Sequence, residues 1–441
     1  MRLTGDPAQQ AIFDEDSTIE SWLSAERALA AAQAEHGVIS PDTADAIAGA
    51  AQLHNIDRDA LWATAGNVGY PVLGLVRQIA AALPAGPSGR VHYGATTQDI
   101  MDTGLALQMQ ASLAGLQRQV QQLGDALVEQ ATRHRDTVMA ARTHAQQAVP
   151  TTFGATLAVT LAQVARQRER LREATDRVAV VSLFGAGGTA AALGPHVVRI
   201  RRSMARRLGL RSTDVPWHVT RDGPAEFGWL CATLAGTCAR AARNIVDLSR
   251  TEVGEVFEPY SSHRGASSTM PQKVNPISSE GIIGAAGAAG ALTSALVRMY
   301  EAGHERAAGE WQTEWQVLPQ LAVLAGTALG ETITIVQGLR VDEQRMSANL
   351  TLDHGAVLAE AHLFALAPTL GRELAHDVVY EAATRARSSG RSLTSSIESV
   401  LDERRLAHSG TSGAVTVQGG LGQAGAIVEA AVDAWTSGLA G

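Results

Sequence analysis

Apolar positions recur three and four residues apart over most of the chain, the spacing that lines up one face of a helix. Ser17-Thr-Ile-Glu20 has the form of a capping box and predicts a helix running to about Gly37. Ser40-Pro41 places an N-cap and a proline at the first helical position of the next helix. Short helices and loops fill the chain to residue 103. Five long amphipathic stretches follow: Thr103 to Arg135, Thr151 to Val180, Ala225 to Arg250, one opening near Pro276, and Trp311 to Gly338. Helices of about 25–30 residues each span about 40 Å, and five of them predict an all-α fold built on a central five-helix bundle. The pattern divides into an N-terminal helical domain (1–103), the bundle domain (104–341) and a C-terminal helical domain (342–441). Val341-Asp-Glu-Gln-Arg345 marks the second boundary.

The fourth stretch, Gly281-Ile-Ile-Gly-Ala-Ala-Gly-Ala-Ala-Gly290, has almost no side-chain bulk. Its glycines weaken an isolated helix. They are tolerable where neighbouring helices approach closely, so a bundle centre shared between subunits, and hence a homo-oligomer, is expected.

Composition narrows the function. Aromatics are 4% of the 441 residues and the net charge is −8, with no basic stripe. That balance argues against a nucleic-acid partner. No uninterrupted apolar run reaches about 18 residues, so no membrane span is expected. Met1-Arg-Leu-Thr-Gly-Asp-Pro has no apolar core and does not read as a signal peptide. Cys231 and Cys238, seven apart in a helical pattern, lie about 10 Å apart, too far for a disulfide. Reduced thiols suit the cytoplasm. The histidines lack metal-ligand spacing: His304-Glu305 begins like HExxH, but position 308 is alanine. Neither metal nor cofactor is expected.

Lysine occurs once, at Lys273, against 35 arginines among the 36 basic residues. Where every other cation is arginine, a lone lysine in a small-residue loop suggests a position that needs a compact ammonium rather than a planar fork. Two more segments share that loop's small, polar character. They are His92-Tyr-Gly-Ala-Thr-Thr-Gln-Asp99 and Arg142-Thr-His-Ala-Gln-Gln-Ala-Val-Pro150, beside Ser261 to Pro276. Each precedes a long helix, whose N-terminal N–H groups and dipole suit a carboxylate. Phe184-Gly-Ala-Gly-Gly-Thr189 looks superficially like a nucleotide loop, but no strand precedes it, so a loop near the substrate is expected.

Together the three segments resemble the signature regions of the aspartase/fumarase superfamily over nearly the whole chain. The third is the most specific: the family reads Gly-Ser-Ser-x-Met-Pro-x-Lys-x-Asn-Pro, and only Ala266 departs. The resemblance implies three helical domains, a five-helix bundle that assembles into a homotetramer, and active sites drawing their signature regions from three subunits. It implies proton abstraction next to a carboxylate of a small dicarboxylate substrate, with the carbanion held as an aci-carboxylate. Ser267 matches the catalytic base on a loop. Lys273 and Asn275 match residues that hold the substrate carboxylate, with Ser268 beside them. His144 matches the histidine near the leaving group, and Glu280 the glutamate that pairs with it. Thr96, Thr97 and Gln98 match the carboxylate-binding turn. Thr143 and Gln147 are expected substrate contacts, and His92 matches a second active-site histidine in some members.

Gly5-Asp-Pro, Ile12-Phe13, Thr97-Gln-Asp99, Pro216-Trp-His218, Glu252 to Pro259 and Glu310 to Trp315 look like the 3-carboxy-cis,cis-muconate cycloisomerase branch. The set Thr143-His144, Lys273-Val-Asn275 and Glu280 looks instead like eliminating lyases. Trp311 and Trp315 stand where adenylosuccinate lyases carry phosphate-binding residues, so that activity fits poorly. The expectation is β-elimination from a succinyl-type substrate to give fumarate. Lactonisation of carboxymuconate is the alternative. A catalytically inactive helical homologue is remote, because Ser267, His144, Lys273 and Glu280 are all present.

Overall fold

A computed structural model describes residues 5–406 and 415–438. Residues 1–4, on which the signal-peptide reading partly rests, lie outside the described residues. So do 407–414 and 439–441 of the C-terminal region. The principal N-terminal helices are α1 (Glu15–Glu35), α2 (Pro41–Ala50) and α3 (Arg58–Val68). The five long helices follow: α4 (Thr97–Arg133), α5 (Phe153–Val178), α6 (Asp222–Leu248), α7 (Ile277–Met299) and α8 (Glu310–Gln337). Beyond them come α9 (Glu343–Asn349), α10 (Ala359–Leu370), α11 (Arg372–Ser389) and α12 (Leu393–Glu403).

Two helix starts show how local chemistry sets the boundaries. Ser40 caps α2, its hydroxyl accepting the Thr43 N–H with Pro41 at the first helical position, as the sequence predicts. α1 differs. It opens before Ser17, because the Asp14 carboxylate accepts the Ser17 N–H at 2.8 Å and takes the capping role itself.

The chain groups into two compact units. One comprises Met1–Val120, Gln167–Ala239 and Gly281–Gly330; the other Gln121–Arg166, Arg240–Glu280 and Glu331–Gly441. In the first, the long helices pack on one another. Gln117 of α4 bonds Thr175 of α5, Gln167 of α5 bonds Thr237 of α6, and Gln119 of α4 bonds the Gly326 carbonyl of α8. A Cβ on Gly228 of α6 would lie 2.7 Å from the Leu296 side chain of α7, so a larger residue there would make that leucine shift. The core of this unit also gathers Ile19, Leu23, Leu61, Leu75 and Ile100.

In the second unit, α10, α11 and α12 close around Leu366, Val378, Ile397 and Val400. This unit also holds an antiparallel hairpin of β1 (Val138–Thr143) and β2 (Gln146–Thr152). The segment Arg142 to Pro150, expected as loop, is therefore mostly strand. Its weak alternation and the lack of Gly or Asn at the turn hide the hairpin from a reading by pattern.

The glycines of α7 have open space beside them among the described residues. A Cβ on Gly281, Gly284, Gly287 or Gly290 would meet nothing within 4 Å. By length and composition both α7 and α8 could cross a bilayer. The apolar stretch of α8 is 56% buried, that of α7 only 28%.

Candidate functional site

The loop carrying Ser267 is pinned at its base. Ala266 and Val274 form an antiparallel bridge. The Gly265 carbonyl accepts both the Asn275 N–H at 2.8 Å and its side-chain N–H at 3.0 Å. Gly265 has φ +70°, and a Cβ there would sit 2.3 Å from the Asn275 carbonyl oxygen, so no other residue fits. Within the closed loop, the Ser267 hydroxyl oxygen accepts the backbone N–H of Thr269 at 3.3 Å and of Met270 at 3.1 Å. Two donors aimed at one oxygen favour its ionised form. Ser268 and Lys273 are exposed, and among the described residues no hydrogen bond or ion pair reaches the Lys273 ammonium.

The helix that follows is already capped. Glu258, nearly buried, accepts the Ser278 N–H at 3.3 Å, the Ser279 N–H at 2.7 Å and the Ser279 hydroxyl at 2.8 Å. The other two long helices after the polar segments each show one local contact at their start. Asp99 accepts the Thr96 N–H at 3.1 Å, and the Thr152 hydroxyl accepts the Ala155 N–H at 3.1 Å. At Ser278, Ser279 and Ala155 the N–H groups expected to be free for a substrate carboxylate are thus taken. Glu280 lies exposed in the first turn of α7.

His144 sits at the tip of the hairpin. Thr143 pairs with Gln146, leaving His144 and Ala145 as a two-residue turn with φ +49° and +62°. Such turns favour Asn-Gly, and left-handed non-glycine residues cost of order 1–3 kcal/mol each. The His144 side chain is exposed there. The hairpin base is fixed by Arg142, which makes a two-pronged contact with the fully buried Glu255 at 2.8 and 2.6 Å. Asn349 of α9 donates to the same carboxylate at 2.6 Å, and its carbonyl accepts the Gln147 amide at 3.0 Å. Among the described residues no hydrogen bond or ion pair joins His144 to Glu280.

The third segment opens α4. His92 (φ +58°) bonds through Nδ1 to the buried Glu26 carboxylate at 2.6 Å. Burial alone lowers the His92 pKa, but the Glu26 carboxylate outweighs it and holds the imidazole above its ordinary value. Thr96 and Thr97 are half-buried. Gln98 is fully buried: its amide N–H bonds the His218 carbonyl at 2.9 Å, and its oxygen accepts from Arg306. It braces the turn from within, and its expected substrate contact is not open in this arrangement. Asp99 accepts the Phe184 and Gly185 N–H groups, both at 2.8 Å, which ties the glycine loop to this turn. Burial raises the Asp99 pKa, but its bond to His218 and these two N–H groups hold it below the usual carboxylate range.

Each signature segment therefore gathers its own candidates. Ser267, Ser268, Lys273 and Asn275 share one loop, Thr143, His144 and Gln147 one hairpin, and His92, Thr96, Thr97 and Gln98 one turn. Sequence reasoning missed the residues that brace them: Glu26, Glu255, Glu258 and Asn349. No local signal marks these, since their partners lie from 20 to 202 residues away. Among the described residues no cluster of three or more His, Cys, Asp or Glu could hold a metal.

The family profile described as Lyase matches residues 4–290. The 3-carboxy-cis,cis-muconate cycloisomerase of Pseudomonas aeruginosa is 43% identical over 87% of this chain and 84% of that protein. The enzyme of the same name from Pseudomonas putida is 38% identical over 88% and 92%. The crystal structure of the 3-carboxy-cis,cis-muconate lactonizing enzyme from Pseudomonas putida superposes with TM-score 0.91 at 35% identity, covering 99% of this chain and 98% of that one. These findings overturn the expectation of a fumarate-releasing elimination. The likeness to cycloisomerases runs the length of the chain, whereas the elimination reading rested on His144, Val274 and Glu280. With the fold and the three signature segments in place, the chain belongs to the aspartase/fumarase superfamily.

Proposed function

We propose that this protein is a 3-carboxy-cis,cis-muconate cycloisomerase, closing its substrate to a lactone. The observation that carries this reading is the 43% identity to such an enzyme over 87% of the chain. In the forward reaction a substrate carboxylate oxygen forms a C–O bond to one alkene carbon. The π electrons move to the neighbouring carbon and into its carboxylate, giving an aci-carboxylate. That carbon then takes the proton of the Ser267 hydroxyl, and the serine recovers one from solvent. No group leaves, and one proton is taken up per turnover.

The Thr269 and Met270 N–H groups stabilise the alkoxide left on Ser267. Lys273 pairs with the charge building on the substrate carboxylate, and Asn275 holds the loop closed around both. The attacking carboxylate is already ionised near neutral pH, so no base is needed to prepare it. His144 and Glu280 serve binding, with Thr96, Thr97, Thr143, Gln147, Ser268 and His92 as further contacts.

The same reading includes a homotetramer with sites shared among three subunits. The open glycine face of α7 and the exposure of Lys273, His144 and Glu280 in one chain support it. The test is to mix the purified protein with 3-carboxy-cis,cis-muconate and follow the ultraviolet absorbance of the conjugated diene. The reading expects that absorbance to fall; an unchanged spectrum at high enzyme concentration sinks it.

A further inference from the structure

His92 is the one basic residue between Val91 and Asp99, the segment that opens α4. Helix α1 holds this segment at two points. The buried Glu26 carboxylate meets the His92 Nδ1 at 2.6 Å. Gln33, seven residues further along the same face of α1, donates its amide N–H to the Tyr93 carbonyl at 2.7 Å. His92 has φ +58°, a conformation that a non-glycine residue keeps only where its surroundings fix it. The two anchors from α1 fix it, and 18% of the imidazole side chain stays exposed.

The bond to Glu26 sets what the other ring nitrogen can do. Among the described residues no further hydrogen bond reaches the ring. With Nδ1–H given to Glu26, Nε2 is an acceptor in the neutral imidazole, which a carboxylate cannot use. In the imidazolium Nε2–H is a donor. Geometry favours the charged form, because a buried carboxylate needs a cation to answer it. Burial alone lowers the His92 pKa, but Glu26 outweighs it and raises the value, with Asp99 of α4 adding to the effect at longer range. The neighbouring cation Arg90 lies over the Tyr93 ring, 4.8 Å from its centroid. The Ala95 N–H donates to the His92 carbonyl at 3.3 Å, closing a turn that leads straight into Thr96 and Thr97. Both threonines are half-buried, and among the described residues no hydrogen bond reaches their hydroxyls.

We propose that Glu26 is a positioning residue of the substrate site: it presents His92 as a fixed imidazolium in the turn of Thr96 and Thr97, so that a substrate carboxylate meets a charged Nε2–H donor as well as the two hydroxyls. Glu26 touches no substrate and acts through His92. The proposal rests on the reading of this turn as a carboxylate-binding segment, and it adds the group that gives the turn its charge.

A non-reacting tricarboxylate, propane-1,2,3-tricarboxylate, tests it without turnover. Its affinity for the full-length protein is measured by calorimetry from acid to alkaline pH, for the wild type and for Glu26→Gln. The ratio of the two affinities at each pH cancels the ligand's own titration. Near neutral pH the wild type should bind at least about fivefold tighter, the scale of one hydrogen bond to a charged group. The ratio should close towards one in acid, where His92 charges without Glu26, and in alkali, where it is neutral even beside Glu26. His92→Asn suits the left-handed backbone and carries no charge, so it should bind weakly at neutral pH and show no relative recovery in acid. A ratio that is constant with pH would make Glu26 a support of the fold alone and overturn the proposal. So would equal affinities throughout, no binding to the wild type, or recovery in acid by His92→Asn. Because the probe does not react, failure to turn over muconate would count against the cycloisomerase reading and leave this result standing.

Discussion

The Met270 N–H points at the Ser267 hydroxyl oxygen across 3.1 Å, and the Thr269 N–H joins it from 3.3 Å. A serine in ordinary solvent neither holds nor gives up its proton usefully. Two preorganised donors make its alkoxide an accessible state within the turn. Ser267→Ala removes the proton donor and should lower kcat for lactonisation by about 10³-fold, in the range of general acid–base contributions. The loop is largely exposed, so the melting temperature should not move. Near-normal turnover in this variant would remove serine from the mechanism.

Lys273 offers an unusually clean experiment, because it is the only lysine in the chain. Lys273→Arg keeps the charge but replaces a compact ammonium with a planar fork. Activity should fall by about 10²-fold, as for loss of one preorganised stabiliser. Reductive methylation at neutral pH should also depress activity, and bound product should protect against it. Retained activity in Lys273→Arg would mean that the lone lysine is an accident of composition.

How much of this was legible in the sequence differs by level. All five long helices follow from period and caps, with boundaries shifted by a few residues at most except at α4, which opens at Thr97 rather than Thr103. The six extra residues open with the polar Thr97-Gln-Asp99, which reads as loop, although Ile100 and Met101 already continue the apolar spacing to Leu105 and Leu107. The hairpin was hidden because His144-Ala145 is not a turn pair that sequence rules favour. The braces Glu255 and Glu258 were hidden because a buried carboxylate is recognised only by its distant partners. The reaction was misread because three site positions were weighed above the identity of the whole scaffold.

His92 carries a pH signature. Its folded pKa is raised, so protonation stabilises the fold. That contribution is fully present below the ordinary histidine value and is lost as pH rises through the folded value. Glu26→Gln keeps the shape but removes the carboxylate, leaving burial to act alone. The His92 ring should then titrate lower by NMR, and stability should fall less steeply with rising pH over this window. An unshifted ring would show that Glu26 does not control it.

The hairpin brace should matter for stability as well as for activity. Glu255 is wholly buried and answers both Arg142 and Asn349. Glu255→Gln breaks the ion pair from its buried side and should cost about 2–4 kcal/mol, the low end for buried pairs because Arg142 keeps some solvent. Denaturant unfolding measures this. A loss below about 0.5 kcal/mol would class the pair with surface salt bridges.

Assembly can be tested apart from chemistry. Gly287 lies on α7 with open space around it in one chain. Gly287→Leu should raise helix propensity by about 1 kcal/mol within the chain, yet block packing against a second copy. Light scattering should show a smaller species with native helical content and little activity. An intact tetramer would place the subunit interface elsewhere.

The central claim is ring closure without loss of a group, and its most direct test is isotopic. The enzyme, incubated with 3-carboxy-cis,cis-muconate in D₂O, should yield a lactone carrying a single solvent deuterium on the carbon next to a carboxylate, seen by NMR. Recovery of unreacted muconate, from enzyme that releases fumarate from a succinyl adduct under the same conditions, would contradict the account.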